Sequence, residues 1–239
     1  MNIVCKIHFS VDDTFGCFNW LNKNDKSVQG IFDSFIFRFA KYIYENYGVG
    51  TSFYCMYTDG RNSLENVSSR WQEQYQMCHE WMKFGFHCYD GHSNYGMASA
   101  EKIEEDYNKV VGALERITGG GDCLTDTLRL HYFAGNDVTI GYLRKRGINR
   151  LLCADDDRRN YNLSEEAEEK LKRAGFYFDH DTSMEYISTN FRIENMDVAE
   201  SKIREIKLSQ KKVIFFTHER YLKEVGIRNK IEMLIKELI

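Results

Sequence analysis

Ile3-Val4-Cys5-Lys6-Ile7-His8-Phe9-Ser10-Val11-Asp12-Asp13-Thr14 is an apolar run that ends in two adjacent carboxylates. Ile3, Val4, Ile7 and Phe9 read as a short buried β-strand. Neighbouring residues on a strand point to opposite faces, so Asp12 and Asp13 at its end are not both solvent-facing decoration. Like charges this close repel, and one pKa rises unless a cation stands between them. A divalent metal relieves the repulsion, with one Asp as ligand and its neighbour free as a base for water. The competing reading is a turn or helix cap leading into Thr14. The rest of the chain decides between them.

The chain has 239 residues, 43% of them hydrophobic, which is ample for one large α/β domain spanning 1–239. No Ser/Gly/Pro-rich linker divides it, and it contains no proline at all. The net charge is −4 and the basic residues are dispersed, so nothing marks a nucleic-acid surface. The first ten residues lack the basic and long apolar regions of a signal peptide, and no apolar run reaches membrane-spanning length. Seven cysteines are scattered with no CxxC pair. They read as small buried apolar side chains, free thiols of a cytoplasmic protein.

Beyond the Asp pair, Phe15 to Asn24 reads as a loop. Ser27 caps a helix whose stripe of Ile31, Phe35, Ile36, Phe39 and Ile43 is core packing, closed by Gly48 and Gly50. Thr51–Tyr57 is a second strand and Ser69–Met82 a polar helix. Phe84–Tyr89 is a third strand, running into a loop with His87 and His92 five apart. Such a pair at a strand end reads either as hydrogen-bonded structural residues or as ligands turning back on one point. Two His and one carboxylate form a three-ligand metal site with open positions. A helix spans Ala98–Ile117. Leu128–Phe133 is a fourth strand in which Arg129 and His131 alternate with apolar residues, which fits a strand end facing a polar site. Val138–Arg146 is a helix, Asn149–Cys153 a fifth strand ending in Asp155-Asp156, and Ser164 caps a helix to Ala174. Met184–Glu194 is a strand and Val198–Leu208 a helix. Lys212–Phe216 is a strand ending in Thr217-His218, before a last amphipathic helix with Ile227, Ile231, Leu234, Ile235 and Leu238.

Strands and helices alternate, which predicts a parallel sheet with helices outside, as a closed barrel or a doubly wound sheet. The polar groups decide for the barrel. Asp12/Asp13, His87/His92, Arg129/His131, Asp155/Asp156 and His218 lie at the ends of different strands, and in a β/α barrel those ends meet on one face. A doubly wound sheet gathers only two or three of them, and no Gly-rich phosphate loop opens the chain.

In this order the residues resemble the polysaccharide deacetylase (NodB-homology) family of the glycoside hydrolase/deacetylase superfamily. Ser10-Val11-Asp12-Asp13-Thr14 stands where the family has Thr-Phe-Asp-Asp-Gly, and Gly85-Phe86-His87 with His92 where it has a pair of His spaced H-x3-H. Arg129-Leu130-His131-Tyr132 resembles Arg-Pro-Pro-Tyr, and Phe216-Thr217-His218 a Leu-x-His. The resemblance implies a distorted (β/α)7-type TIM-like barrel. It implies Asp12 as catalytic base steadied by Arg129, and Asp13, His87 and His92 as metal ligands. It also implies Tyr132 near the oxyanion through its backbone N–H, and His218 as general acid tuned by Asp156 or Asp155. Three departures stand out: H-x4-H spacing, Thr14 in place of Gly, and no prolines in the third motif.

The implied activity is metal-dependent removal of an N- or O-linked acetyl group from a carbohydrate, or cleavage of a related small amide. The metal expected is zinc, with cobalt, nickel and iron suiting the same ligands. The alternative is a catalytically inactive carbohydrate-binding relative of the same fold. Neither nucleic acid nor membrane is an expected partner, and no oligomer signal is readable.

Overall fold

The computed structural model describes residues 6–156, 160–196, 203, 206–207 and 212–239. Strand β1 (Lys6–Thr14) is the central strand of a five-stranded sheet. It is flanked by β2 (Thr51–Met56), then β3 (Met82–Cys88), on one side, and by β9 (Lys212–His218), then β8 (Phe191–Arg192), on the other. Every pairing in this sheet is parallel. The residues of β1 from Phe9 to Asp12 are all buried, as expected of a parallel strand covered on both faces.

A second sheet runs β4 (Thr127–Leu128), β5 (Arg150–Leu152), β7 (Met184–Ile187), β6 (Phe176–Asp179), with β6 antiparallel to β7. The two sheets meet where Phe84 of β3 bridges Leu124 and accepts from the Thr125 N–H at 2.9 Å. On the far side Asn190, between β7 and β8, exchanges hydrogen bonds of 2.8 Å with Ile214 of β9, one of them through its side chain. The result is a barrel, as the strand ends predict, and of the distorted (β/α)7 type that the resemblance implies. The single strand read at Met184–Glu194 is instead two strands, β7 in the second sheet and β8 in the first, broken at Ser188–Asn190 and followed by a 3-10 turn at Ile193–Asn195.

Helices α1 (Gly16–Lys23), α2 (Phe35–Tyr47), α3 (Gln72–Met77), α4 (Ala100–Thr118), α5 (Asp137–Lys145), α6 (Glu165–Ala174) and α7 (Val225–Leu238) accompany the strands, with short 3-10 turns between elements. Of the apolar stripe, Ile36, Phe39 and Ile43 of α2 and Ile31 in the turn before it are core, whereas Phe35 is exposed and Phe37, outside the stripe, is buried instead. Phe37 packs edge-on against Phe53 of β2 at 5.3 Å and Phe84 of β3 at 6.0 Å. The described cysteines are all free and buried. No described helix is long and apolar enough to cross a membrane.

Several elements differ from the sequence reading. Phe15–Asn24 is not a loop: α1 forms there without a local cap, because the carboxylate of Glu219 accepts from the Phe15, Gly16 and Cys17 N–H groups. α2 starts at Phe35 after a 3-10 turn rather than at a Ser27 cap. The fourth strand stops at Leu128, since Tyr132 and Phe133 take positive φ of 59° and 54°, incompatible with a strand. The edge strand β6, Phe-Tyr-Phe-Asp, shows no apolar–polar alternation that marks it as a strand in the sequence. The helix at Val198–Leu208 lies, apart from Ile203, Ile206 and Lys207, outside the described residues.

Candidate metal centre

Asp12 and Asp13 stand at a β-bulge. From Val11 to Thr14 β1 advances three residues while β2 advances two, from Phe53 to Cys55. Asp13 is the extra residue, at φ 54°. A bulge re-aims a side chain out of the regular alternation, so Asp12 and Asp13 do not simply oppose each other across the strand. Asp12 turns into the barrel, 2% exposed, against a guanidinium that is itself fully buried. Arg129 Nη1 donates to Asp12 Oδ1 at 3.0 Å and to Ser10 Oγ at 2.8 Å, and Nη2 donates to Thr189 Oγ1 at 3.1 Å. The Phe216 ring lies 4.0 Å from the guanidinium carbon. Asp12 is also the direct ladder partner of His218 on β9.

His87 sits on a second bulge. Between Cys55 and Met56 of β2, strand β3 advances from Phe86 to Cys88, leaving His87 as the extra residue. Its Nδ1 lies 2.6 Å from the Arg129 carbonyl oxygen. That acceptor places the ring proton on Nδ1 and leaves Nε2 as a lone-pair donor. Nε2 faces Asp13 Oδ1 at 3.3 Å, and both atoms are buried with no hydrogen-bond partner. His131, just after β4, completes the group. One ligand atom from each of Asp13, His87 and His131 lies within 4.8 Å of the others, the one such cluster among the described residues. The His131 Nδ1 is taken by the Ser93 carbonyl at 3.2 Å, which leaves Nε2 for a ligand. Histidines whose second nitrogen is held by a carbonyl are the usual form of metal-ligating imidazole.

Burial opposes charge on Asp13, but the imidazole of His87 3.3 Å away, with His218 and His131 nearby, holds its carboxyl well below the usual carboxylate range. Burial disfavours charge on His87 too, yet Asp13 and Asp12 raise its pKa above the ordinary imidazole value. Burial and the neighbouring His87 lower that of His131.

His92 is not brought to this cluster. Its backbone N–H donates to Asp90 Oδ1 at 2.9 Å in a turn that Ser93 also closes through its hydroxyl, and it lies exposed on the rim of the same cavity. The longer H-x4-H loop winds around Asp90 instead of folding back on Asp13. His131 stands in the cluster in its place, and its signal in the sequence is its spacing from Arg129 in an otherwise apolar run.

His218 is oriented by a different acid from the one expected. Its Nδ1 is hydrogen-bonded to Glu194 Oε1, while Thr217 Oγ1 donates to Glu194 Oε2 at 2.9 Å. Burial opposes charge on Glu194, and the His218 hydrogen bond lowers its pKa nonetheless. Asp155 pairs instead with Arg192 at 3.0 Å, and Asp156 lies exposed on the loop beyond it. Glu194 lies two residues past β8 in a 3-10 turn, so its signal is the one shared by the other site residues, a polar group at a strand end.

Asp13, His131, Tyr132, Arg192, His218 and Arg220 stand in the wall of a cavity of about 610 Å³. Tyr132 is 51% exposed, and its hydroxyl donates to the Gly91 carbonyl at 3.2 Å, tying the His131 turn to the His92 loop. Arg220, unremarked in the sequence reading, meets the other Asp13 oxygen at 3.3 Å.

No protein-family profile matches the chain, and no curated protein matches its sequence. Solved structures do. A protein from Mycobacterium smegmatis assigned as a polysaccharide deacetylase aligns at a TM-score of 0.57 and 14% identity, over 100% of this chain and 85% of that one. A family 4 carbohydrate esterase from Streptomyces lividans, solved with acetate, aligns at 0.48 and 10% identity, over 98% and 88%. A mutant, with restored enzymatic activity, of a CE4 family pseudoenzyme from Bacillus anthracis aligns at 0.47 and 12% identity. The chain is covered in full there but spans only 64% of the pseudoenzyme's length. The first of these likenesses shows that the barrel is the fold of that M. smegmatis protein.

Proposed function

We propose that this chain is a metal-dependent hydrolase of the deacetylase type, removing an N- or O-linked acetyl group from a carbohydrate or cleaving a related small amide. The observation that carries the reading is the buried pair Asp13 Oδ1 and His87 Nε2, 3.3 Å apart without hydrogen bonds. Two electron-pair donors at that separation repel unless a cation, a proton or a metal ion, stands against both, and His131 beside them supplies the third donor that a metal needs. Asp13, His87 and His131 are the residues that would hold it, with His131 in the role expected of His92. One carboxylate and two imidazoles suit zinc, and cobalt, nickel and iron accept the same donors. Bound there, the ion supplies Lewis acidity at the acyl carbonyl.

The remaining roles belong to the chain's own side chains. Asp12, oriented by Arg129, takes the proton of the attacking water. His218, its Nδ1 on Glu194, delivers a proton from Nε2 to the leaving nitrogen or oxygen. The Tyr132 backbone N–H, in a left-handed turn at the cavity wall, is the candidate donor to the developing oxyanion. The cavity of about 610 Å³ is within the roughly 300–1,000 Å³ of small-molecule sites.

Metal analysis of the purified protein, together with acetate release from a panel of acetylated sugars with and without chelator, tests the proposal. Metal retained with chelator-sensitive acetate release supports it. A protein that takes up no divalent metal and releases no acetate from any of them contradicts it.

A further inference from the structure

Glu219 follows His218 at the end of β9, and its carboxylate reaches across to the start of α1. Oε2 accepts from Phe15 N at 3.0 Å and Gly16 N at 2.6 Å, and Oε1 accepts from Cys17 N at 2.6 Å. The residue is 9% exposed. The first N–H groups of a helix have no partner within it and are usually met by a side chain just before it. Phe15 in that position offers none, so the cap comes from a residue 204 positions away in the chain. A Cβ at position 16 would stand 3.0 Å from Glu219 Oε2, so glycine there lets the carboxylate approach.

This cap closes on the turn that carries Asp13. Asp12 is fixed by its ladder pairing with His218, and Phe15 to Cys17 are fixed by the next residue, Glu219. Between the two clamps Asp13 holds φ 54°. For a residue with a side chain that conformation is strained and persists only where its surroundings over-determine it. Inside the turn the Thr14 hydroxyl donates to the Val11 carbonyl at 3.0 Å, a local tie that does not reach the rest of the barrel.

We infer that Glu219 is a positioning residue: its carboxylate holds the Asp13 turn so that Oδ1 aims at His87, and locks that turn to the strand end bearing His218. The inference rests on the reading of Asp13, His87 and His131 as metal ligands.

Glu219→Gln tests it. The amide keeps the size of the side chain but turns one acceptor oxygen into a donor and removes the charge facing the helix. Ser164→Ala is the control: it removes the N-cap of α6, which accepts from Ala167 N at 3.2 Å, and lowers stability away from the site. Cobalt(II) titration followed by visible absorption, well below the melting temperature, and the Asp13–His87 separation in metal-free crystals are the readouts. Glu219→Gln is expected to weaken cobalt binding about 10-fold or more, to change its spectrum, and to open the 3.3 Å separation. Ser164→Ala is expected to leave all three unchanged. Wild-type affinity, spectrum and separation in Glu219→Gln overturn the inference. A wild-type protein that takes up no cobalt overturns the metal reading instead, and the crystal separation still decides the role of Glu219. If the Gln variant does not fold, Gly16→Ala, which presses on the same carboxylate, gives the same readouts in the same direction.

Discussion

Asp12 on β1 and His218 on β9 are direct partners in a parallel ladder. That single pairing sets the proposed base and acid on adjacent strand ends, with Asp13 one residue further on at the bulge. Two strands therefore carry most of the proposed chemistry, and the other site residues converge on them.

The two adjacent carboxylates are expected to separate cleanly on substitution. Asp12→Asn should keep metal while turnover falls by about 10²–10⁴-fold, the contribution of a positioned base. Asp13→Asn should lose the metal. Equal metal loss in both, measured by metal analysis beside acetate release, would show that the roles of the pair are divided wrongly.

Arg129 is fully buried and its guanidinium is the ion-pair partner of Asp12. Arg129→Met leaves a buried carboxylate with no cation, at an expected cost of about 3–5 kcal/mol in chemical denaturation. Adding Asp12→Asn removes the uncompensated charge, so the double variant is expected to be more stable than Arg129→Met alone. A double variant less stable than the single one contradicts the pairing as the main role of Arg129 in the fold.

His218 and Glu194 form the proposed acid and its orienting partner. His218→Ala should lower amide turnover by about 10²-fold or more, with a smaller loss for an ester having a good leaving group. Glu194→Gln should fall between wild type and His218→Ala, while Asp155→Asn and Asp156→Asn should leave the amide-to-ester ratio unchanged. A shift of that ratio in Asp156→Asn but not in Glu194→Gln would return the role to the acid expected from the sequence.

At the other end of β1, His8 contributes a pH dependence to stability. Its Nε2 lies 3.2 Å from the Tyr54 hydroxyl. Burial, with Arg129 and Lys212 nearby, lowers its pKa from 6.5 to about 3. Between those values the unfolded chain binds a proton that the folded chain does not. Stability from this group is therefore intact above about pH 6.5 and is lost as pH falls toward 3. From pH 7 to pH 5 the loss is about 2 kcal/mol. Unfolding free energies of wild type and His8→Gln at the two pH values test this: the variant should lose about 2 kcal/mol less on acidification, and an identical loss contradicts it.

The fold was legible because its signals are local. The apolar runs at Ile7–Val11 and Val213–Phe216 announce β1 and β9, and polar residues at five strand ends point to one face of a barrel. The Asp pair, His87, Arg129 and His218 were visible as chemistry at those ends. What was not legible depends on distant contacts. α1 forms because Glu219 caps it across the barrel, and nothing in Phe15–Asn24 says so. The choice of His131 over His92 depends on a bulge in β3 and on Asp90 closing the intervening loop. The choice of Glu194 over Asp155 depends on Arg192, two residues before Glu194, capturing Asp155. Spacing alone could not rank these alternatives, since each competing residue also lies just beyond a strand.

The central claim is that Asp13, His87 and His131 hold a divalent metal, and metal content after loading with zinc and desalting tests it most directly. The account predicts about one ion per chain in the wild type and in His92→Ala, and almost none in His131→Ala with its fold intact by circular dichroism. A His131→Ala protein that keeps its full complement of zinc, or a His92→Ala protein that loses it, would contradict the account.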